Sequence, residues 1–241
     1  MKYQNLFIDF DDTLYDTYGN AVIALRETFE AFRLDRFFPD PQVFYDAYWA
    51  ANIDLWKRYS QGEITRDYLI IERFRRPLLA SENLMTQEPS LIEEESILKI
   101  SDRFLDFCST KPGLLDGARE LMEYLKGKGY RTHMTSNGFH EVQYKKLAAC
   151  GLSDLFDTII LSEDAGANKP SAQYFDYALH VAGAERATTL MIGDNLQSDI
   201  LGALASGIDA MLYNRWNVDT AGCTPAPTFV VNSLREIQDI L

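Results

Sequence analysis

Two aspartates two residues apart, at the end of a short apolar run, are the first residues of this sequence whose spacing could do chemistry. The stretch Leu6–Asp16 reads LFIDFDDTLYD. Leu6, Phe7 and Ile8, continued by Phe10, make an apolar run of strand length that polar residues end, the pattern of a buried strand. Asp9 and Asp11 fall where that strand should stop, and side chains at i and i+2 of an extended segment point the same way. Two carboxylates on one half-buried face repel each other and are costly to desolvate unless a cation or a proton offsets them. A divalent metal with hard oxygen ligands, most simply Mg2+, is the expected offset. Asp12 and Thr13 are also good turn and cap residues, so a purely structural reading of that pair stands beside the chemical one. Asp9 does not share it, because an aspartate inside an apolar run is rarely left unpaired.

Three further clusters carry polar residues at expected strand-to-helix turns. Thr135-Ser136-Asn137-Gly138-Phe139 offers hydroxyl, amide and backbone donors that suit a phosphate oxygen, or else a plain helix cap. In Asn168-Lys169-Pro170-Ser171 the lysine is held extended or in a turn by the proline after it, which can sit in a first helical turn; a solvated surface cation is the default for any one lysine. In Met191-Ile192-Gly193-Asp194-Asn195-Leu196-Gln197-Ser198-Asp199 a strand turns at Gly193 with Asp194 at its tip and Asp199 in the following helix or its first turn, and capping by Asp194 and Asn195 is the alternative use.

The elements that must position these clusters fall into two blocks. From Thr17 to Lys111 the pattern is helical, with almost no strand signal. Ala21, Val22, Leu25, Thr28, Phe29 and Phe32 recur at helical spacing. Asp40-Pro41 opens a second helix with an aromatic stripe of Phe44, Tyr45, Tyr48, Trp49, Ile53 and Trp56, and Gly62 ends or bends it. A helix over 64–79 should end near Pro77, and one over 91–107 opens near the acidic run Glu93-Glu94-Glu95. A stripe at this spacing usually packs inward as the block's own core; stacking of Tyr48, Trp49 or Trp56 on a base is the rival use. Beyond Leu115, helices over 115–126, 141–149, 172–182, 200–205 and 234–241 alternate with strands over 130–135, 156–161, 188–192, 210–213 and 229–231. Alternation of this kind predicts an α/β fold, a parallel sheet with helices on both faces, and such sheets bind ligands at the carboxyl ends of their strands. Each polar cluster sits at such an end.

Composition narrows the function classes. The 241 residues are 46% hydrophobic and 24% charged, ordinary for a globular protein with a full core, as one large domain or two small ones. A formal charge of −13 argues against a nucleic-acid polymer as partner, since polymer binding rests on Lys/Arg contacts to phosphates, but leaves room for a small phosphorylated substrate in a locally positive pocket. Cys108, Cys150 and Cys223 have neither zinc spacing nor a disulfide framework, and read as thiols in a reducing compartment. His133, His140 and His180 are not clustered. No signal peptide is visible, and no apolar run approaches the ~20 residues of a membrane span. The expectation is a cytoplasmic protein without membrane partners.

Taken in order, the four clusters resemble the four motifs of the haloacid dehalogenase superfamily of phosphatases. Asp9, Asp11, Thr13 and Leu14 fill motif I; Ser136, or Thr135 in its place, motif II; Lys169-Pro170 motif III; and Asp194 with Asp199, in Gly-Asp-x-x-x-x-Asp, motif IV. The resemblance covers the whole chain and implies a Rossmann-like core of residues 1–16 and 112–241, with 17–111 as an inserted all-helical cap of the C1 type. It implies Mg2+-dependent hydrolysis of a phosphomonoester. Asp9 would attack phosphorus to give an aspartyl-phosphate. Asp11 would protonate the leaving alcohol and then deprotonate the hydrolytic water. Ser136, Asn137 and Lys169 would hold the phosphoryl group, with Lys169 and Mg2+ offsetting its charge. The Asp9 side chain, the Asp11 carbonyl and the Asp194 side chain would hold the metal, and Asp199 and Thr13 would orient these groups.

Within the superfamily the chain looks most like bacterial 5′-nucleotidases acting on pyrimidine nucleoside monophosphates. The likeness rests on Thr135–Phe139, on the run from Gly193 to Gly202, and on Leu55-Trp56-Lys57-Arg58-Tyr59 leading to Gly62-Glu63-Ile64. Departures are Ser136, where those relatives often carry Thr, and Ala167-Asn168 in place of a Val-Ala or similar pair. A phosphatase for a small sugar phosphate or phosphoglycolate shares all four motifs. A haloacid dehalogenase does not need Asp11, and an inactive ligand-binding relative does not need Asp9, Asp11, Lys169 and Asp194 all intact.

Overall fold

Five consecutive buried residues, Asn5–Asp9, form the central strand β1 of the computed structural model, which describes residues 2–241. Strands buried on both faces belong to parallel sheets covered by helices. The others are β2 (Arg131–Ser136), β3 (Thr158–Leu161), β4 (Thr189–Gly193), β5 (Asp209–Tyr213) and β6 (Phe229–Val231). All pair in parallel, in the order β3-β2-β1-β4-β5-β6. The order reverses at β1, so the crevice outside the carboxyl ends of β1 and β4 is the place where such a sheet takes a ligand. Register brings the tips level: Asp9 lies opposite Thr135, and Ile8 opposite Ile192. Alternation along β1 sends Leu6 and Ile8 into an apolar layer with Leu121, Met122 and Leu125, and Phe7 into another with Tyr174, Phe175 and Ala203.

The chain divides into two compact units, Met1–Tyr18 with Pro112–Leu241, and Gly19–Lys111. Residues 19–111 carry no strand among the described residues. Their helices are α1 (Thr17–Ala31), α2 (Pro41–Ser60), α3 (Arg66–Leu78), α4 (Glu82–Gln87) and α5 (Glu94–Ser109). Asp40 caps α2 as its sequence suggests, accepting from the Gln42 N–H at 3.0 Å with Pro41 as first helical residue. The buried line of α2 is Phe44, Tyr48, Ala51 and Leu55, at steps of four, three and four. Tyr45 and Trp49 flank that core, Ile53 is 68% exposed, and Trp56 packs edge-on against Tyr59 instead. The expected stripe therefore turns off the core face after Trp49. Tyr48, Phe74 and Phe104 meet with ring centroids 5.3–5.5 Å apart, and the buried Arg73 donates to Ser101 Oγ at 3.0 Å while lying over two of these rings. Pro77 sits in the last turn of α3, and α4 is too short for periodicity to reveal; Ser81 caps it.

In the sheet unit the helices are α6 (Ala118–Gly127), α7 (His140–Cys150), α8 (Ser162–Ala165), α9 (Ala172–Ala182), α10 (Gly202–Ala205) and α11 (Ile237–Ile240). Two expectations shift. Pro170 precedes α9 instead of entering it, because Ser171 is the cap and accepts from the Gln173 N–H at 3.2 Å. The helix expected over 200–205 is a π turn, Leu196–Leu201, running into α10. The three cysteines are free, with Cys108 and Cys150 buried. Among the described residues no helix is long and apolar enough to cross a membrane.

Gly202 sets how closely the segment after β4 approaches Lys169-Pro170. A Cβ there would lie 2.7 Å from Pro170 Cβ, 2.8 Å from Pro170 Cα and 2.9 Å from a Phe175 ring carbon. Gly202→Ala is expected to cost about 1–3 kcal/mol through overpacking. Urea unfolding checks this, and a variant as stable as the parent would show that the contact relaxes freely.

Candidate active site

The tip of β1 delivers Asp9 into a buried cluster of charge. One of its oxygens, Oδ1, accepts from Lys169 Nζ at 2.7 Å, and Oδ2 accepts from the Thr13 hydroxyl at 2.9 Å. Lys169 is 2% exposed and also reaches Asp199 Oδ1 at 2.8 Å and the Thr135 carbonyl at 3.1 Å, so all three ammonium protons are used. Asp199 is anchored in turn by the Asn195 N–H at 3.1 Å and the Ser198 hydroxyl at 3.3 Å. Gly193 makes room for it, since a Cβ there would fall 2.4 Å from Asp199 Oδ2. Burial drives the Lys169 ammonium pKa down, but the Asp199 and Asp9 charges more than reverse that and hold it charged.

Asp194, just past the end of β4, lies beside this group. Its N–H donates to Thr13 Oγ1 at 3.1 Å, and its Oδ1 is 3.4 Å from the same hydroxyl. Its Oδ2 accepts from the indole N–H of Trp216 at 2.7 Å. Carboxylate oxygens of Asp9, Asp194 and Asp199 lie within 4.8 Å of one another. Burial pushes the Asp194 carboxyl up to about 7, with the Asp199 charge adding to it against the Trp216 hydrogen bond.

Asp11 is held apart from that cluster. Oδ1 accepts from the Thr17 hydroxyl at 2.6 Å and from Lys146 Nζ, and Oδ2 accepts from Gln143 Nε2. Lys146 is buried and lies 5.0 Å from the centroid of the Tyr15 ring. Burial would raise the Asp11 carboxyl, but the Lys146 charge and these donors outweigh it and hold it below the usual carboxylate range. Asp9 and Asp11 share no hydrogen-bond donor, although i and i+2 residues of a strand share a face. The strand stops at Asp9 and the chain turns at once, with Asp12 at φ 60°.

At the tip of β2, Thr135 and Ser136 point to opposite sides. The Thr135 hydroxyl meets the Met191 sulfur at 3.7 Å, whereas Ser136 Oγ accepts from the Gly138 N–H and from Gln143 Nε2, each at 2.9 Å. Ser136 thus stands in the same network as Asp11, with its own proton left to donate. Asn137 spends its amide on the Lys169 backbone, accepting from N–H at 2.8 Å and donating to the carbonyl at 2.9 Å. Lys146, Gln143, Thr17 and Trp216 escape sequence reading. Gln143 and Lys146 carry a faint signal, polar residues at i and i+3 facing one side of α7, while Trp216 carries none.

The sequence matches the family model for haloacid dehalogenase-like hydrolases over residues 3–207. It is 32% identical to the pyrimidine 5′-nucleotidase YjjG of Escherichia coli, covering 100% of this chain and 99% of that protein. It is 28% identical to the pyrimidine 5′-nucleotidase PynA of Streptococcus pneumoniae, covering 100% and 96%. Among solved structures, that of the HAD-hydrolase YfnB of Bacillus subtilis bound to magnesium superposes with a TM-score of 0.83 at 28% identity, covering 100% of this chain and 99% of that one.

Three carboxylates face one ammonium in the cluster, so negative charge is in excess where water is scarce. Burial puts the Asp9 carboxyl well above its ordinary range; Lys169 works against this, and Asp199 and Asp194 add to it. A small dication with oxygen ligands fits that deficit, and Asp9 and Asp194 are the carboxylates that neighbouring donors leave partly free. The charge balance predicts how Lys169→Met behaves without metal. A buried carboxyl with a folded pKa above its unfolded value near ~4 keeps its stabilising effect below that unfolded value and loses it as pH rises through the folded one. Removing Lys169 raises the folded pKa of Asp9 further. The deficit against the parent should therefore be small near pH 4–5 and grow toward pH 8, to about 3–5 kcal/mol. Urea unfolding at both pH values checks this; a deficit independent of pH would refute it.

Proposed function

The chain belongs to the haloacid dehalogenase-like hydrolases, and within that family we propose that it is a Mg2+-dependent phosphomonoester hydrolase with nucleoside 5′-monophosphates as its substrates. The observation that carries this reading is the state of Asp9: buried, pinned by Lys169 and Thr13, and next to a second carboxylate, Asp194, in a cluster short of positive charge. A carboxylate so fixed is preorganised to attack, and Lys169 together with a bound Mg2+ would offset the charge that separates it from an anionic phosphoryl group. The Asp9 and Asp194 side chains, with the Asp11 carbonyl, would hold Mg2+, which when bound supplies positive charge to the phosphoryl oxygens.

Asp9 forms a bond to phosphorus as the phosphorus–oxygen bond to the nucleoside breaks, leaving an aspartyl-phosphate. Asp11 gives its proton to the departing 5′ oxygen, takes one from water, and the resulting hydroxide releases inorganic phosphate and restores the Asp9 carboxylate. Ser136 donates to a phosphoryl oxygen. Lys169 works against the burial that favours the neutral form of Asp9 and aims that carboxylate, and Asn137 holds Lys169 in place through its backbone. Lys146 and Gln143 hold Asp11 in its base form, so the acid half of the cycle requires that grip to loosen when substrate binds.

The nucleotide assignment rests on the full-length likeness to two pyrimidine 5′-nucleotidases. The helical unit serves as the cap that selects the substrate, and the three free thiols suit a cytoplasmic setting. Hydrolysis of nucleoside 5′-monophosphates, sugar phosphates and p-nitrophenyl phosphate, with Mg2+ and with EDTA, tests this reading. Mg2+-dependent release of phosphate, fastest from a 5′-monophosphate, is expected; a sugar phosphate preferred tenfold over every nucleotide would replace the substrate class.

Asp9→Asn should lower kcat by more than about a thousandfold while leaving the fold intact, and near-normal turnover in that variant would remove Asp9 as nucleophile. In Lys146→Met the Asp11 pKa should rise, because its nearest cation is gone, and the alkaline limb of kcat/KM should move to higher pH. An unmoved limb would show that Asp11 is not the acid.

A further inference from the structure

We propose that the loop after β5 belongs to the metal site, with Trp216 as a positioning residue for Asp194 and Arg215 as the tie that holds Trp216 in place. This rests on the Mg2+ reading above. Nothing in the four sequence motifs includes residues 214–218.

The geometry is specific. Trp216 Nε1–H donates to Asp194 Oδ2 at 2.7 Å, although the indole is 49% exposed and Asp194 is 9% exposed. An indole N–H is a donor only, so this contact commits one named oxygen of Asp194. The other oxygen, Oδ1, lies 3.4 Å from the Thr13 hydroxyl, which also donates to Asp9. A cation therefore meets a carboxylate whose orientation the indole N–H biases. Such partners of a ligand are worth roughly 10- to 100-fold in metal affinity.

The loop is built to keep the indole there. The Arg215 guanidinium lies 4.4 Å from the Trp216 ring centroid and donates through Nη1 to Asp12 Oδ1 at 3.0 Å and to the Asp12 carbonyl at 3.3 Å. Those contacts fasten the loop to the turn that follows β1. Asn214 closes the base of the loop, accepting from the Val218 N–H at 2.7 Å and donating to its carbonyl at 3.1 Å, with Asn217 at φ 51° between them. One five-residue loop thus grips the turns after both strands, through Arg215 at β1 and through Trp216 at β4.

The test reads Mg2+ binding on the full-length protein without substrate. The chain has three tryptophans, so an NMR spectrum of 15N-labelled protein has three indole N–H resonances. The resonance missing from Trp216→Phe is expected to shift as MgCl2 is added to the parent. Calorimetry should give that variant a Mg2+ affinity roughly 10- to 100-fold weaker, and its half-saturating Mg2+ in the phosphatase assay should rise. A Trp216 resonance that ignores Mg2+ binding to the parent overturns the proposal, whatever the variant does. Equal Mg2+ affinity in parent and variant also overturns it, and leaves the proposed function standing. A parent that binds no Mg2+ refutes the metal itself and takes this inference with it.

Discussion

The acidic cluster at the tip of β1 depends on one buried ammonium, that of Lys169. A lysine as enclosed as Lys169 is tolerable only when its charge is repaid by well-placed acceptors, and an ammonium has three protons to place. Two go to carboxylates on different segments, Asp9 and Asp199, and the third to the carbonyl of Thr135. That single group therefore links the ends of β1 and β2 to the π turn after β4. Repayment is more than complete, because Asp194 adds a carboxylate that Lys169 does not contact. The same arrangement that makes Lys169 stable leaves its surroundings short of positive charge, a deficit that a proton or a small cation would offset.

Much of this could be read in the sequence, and the reasons differ from residue to residue. β1 was legible because an apolar run buried on both faces looks the same in a sequence as in a sheet. Asp194 was legible because a strand, a glycine and an acid in succession have few structural uses. The clash of a Cβ at Gly193 with Asp199 explains that glycine by space alone. Partners far apart in the chain were not legible. Lys146 and Gln143 reach Asp11 across 135 and 132 positions, and no local pattern encodes such a meeting. In the helical unit, spacing located the aromatic residues but not the exact line of the core, since Ala51 and Leu55 carry it where Ile53 and Trp56 look better on composition.

The pair Asp9 and Asp11 shows how a sound local rule can mislead over a distance of two residues. Side chains at i and i+2 share a face only while the strand continues. Here the strand ends at the first of the two, and the positive φ at Asp12 turns the chain within three residues. Asp9 stays with Lys169 and Thr13, and Asp11 swings to the helix α7. The separation has a chemical consequence. Two carboxylates in one environment would titrate as a coupled pair, whereas these two face opposite influences: scarce water raises one, and Lys146 lowers the other. The turn is what lets neighbouring aspartates come under such different influences.

The contacts that hold the site lie within residues 1–18 and 112–241. Asn137 clamps the Lys169 backbone with both ends of one amide, Thr13 bridges Asp9 and the Asp194 N–H with one hydroxyl, and Gly202 admits Pro170 at a distance no side chain allows. None of these devices draws on residues 19–111. The core of that unit is made of packed rings and aliphatic side chains, whose stability follows from buried area and volume and tolerates exchange of one apolar residue for another. Substitutions there can reshape a surface without disturbing any hydrogen bond at the strand tips. The two units are thus held by different kinds of interaction, polar contacts at the strand tips and apolar packing in residues 19–111.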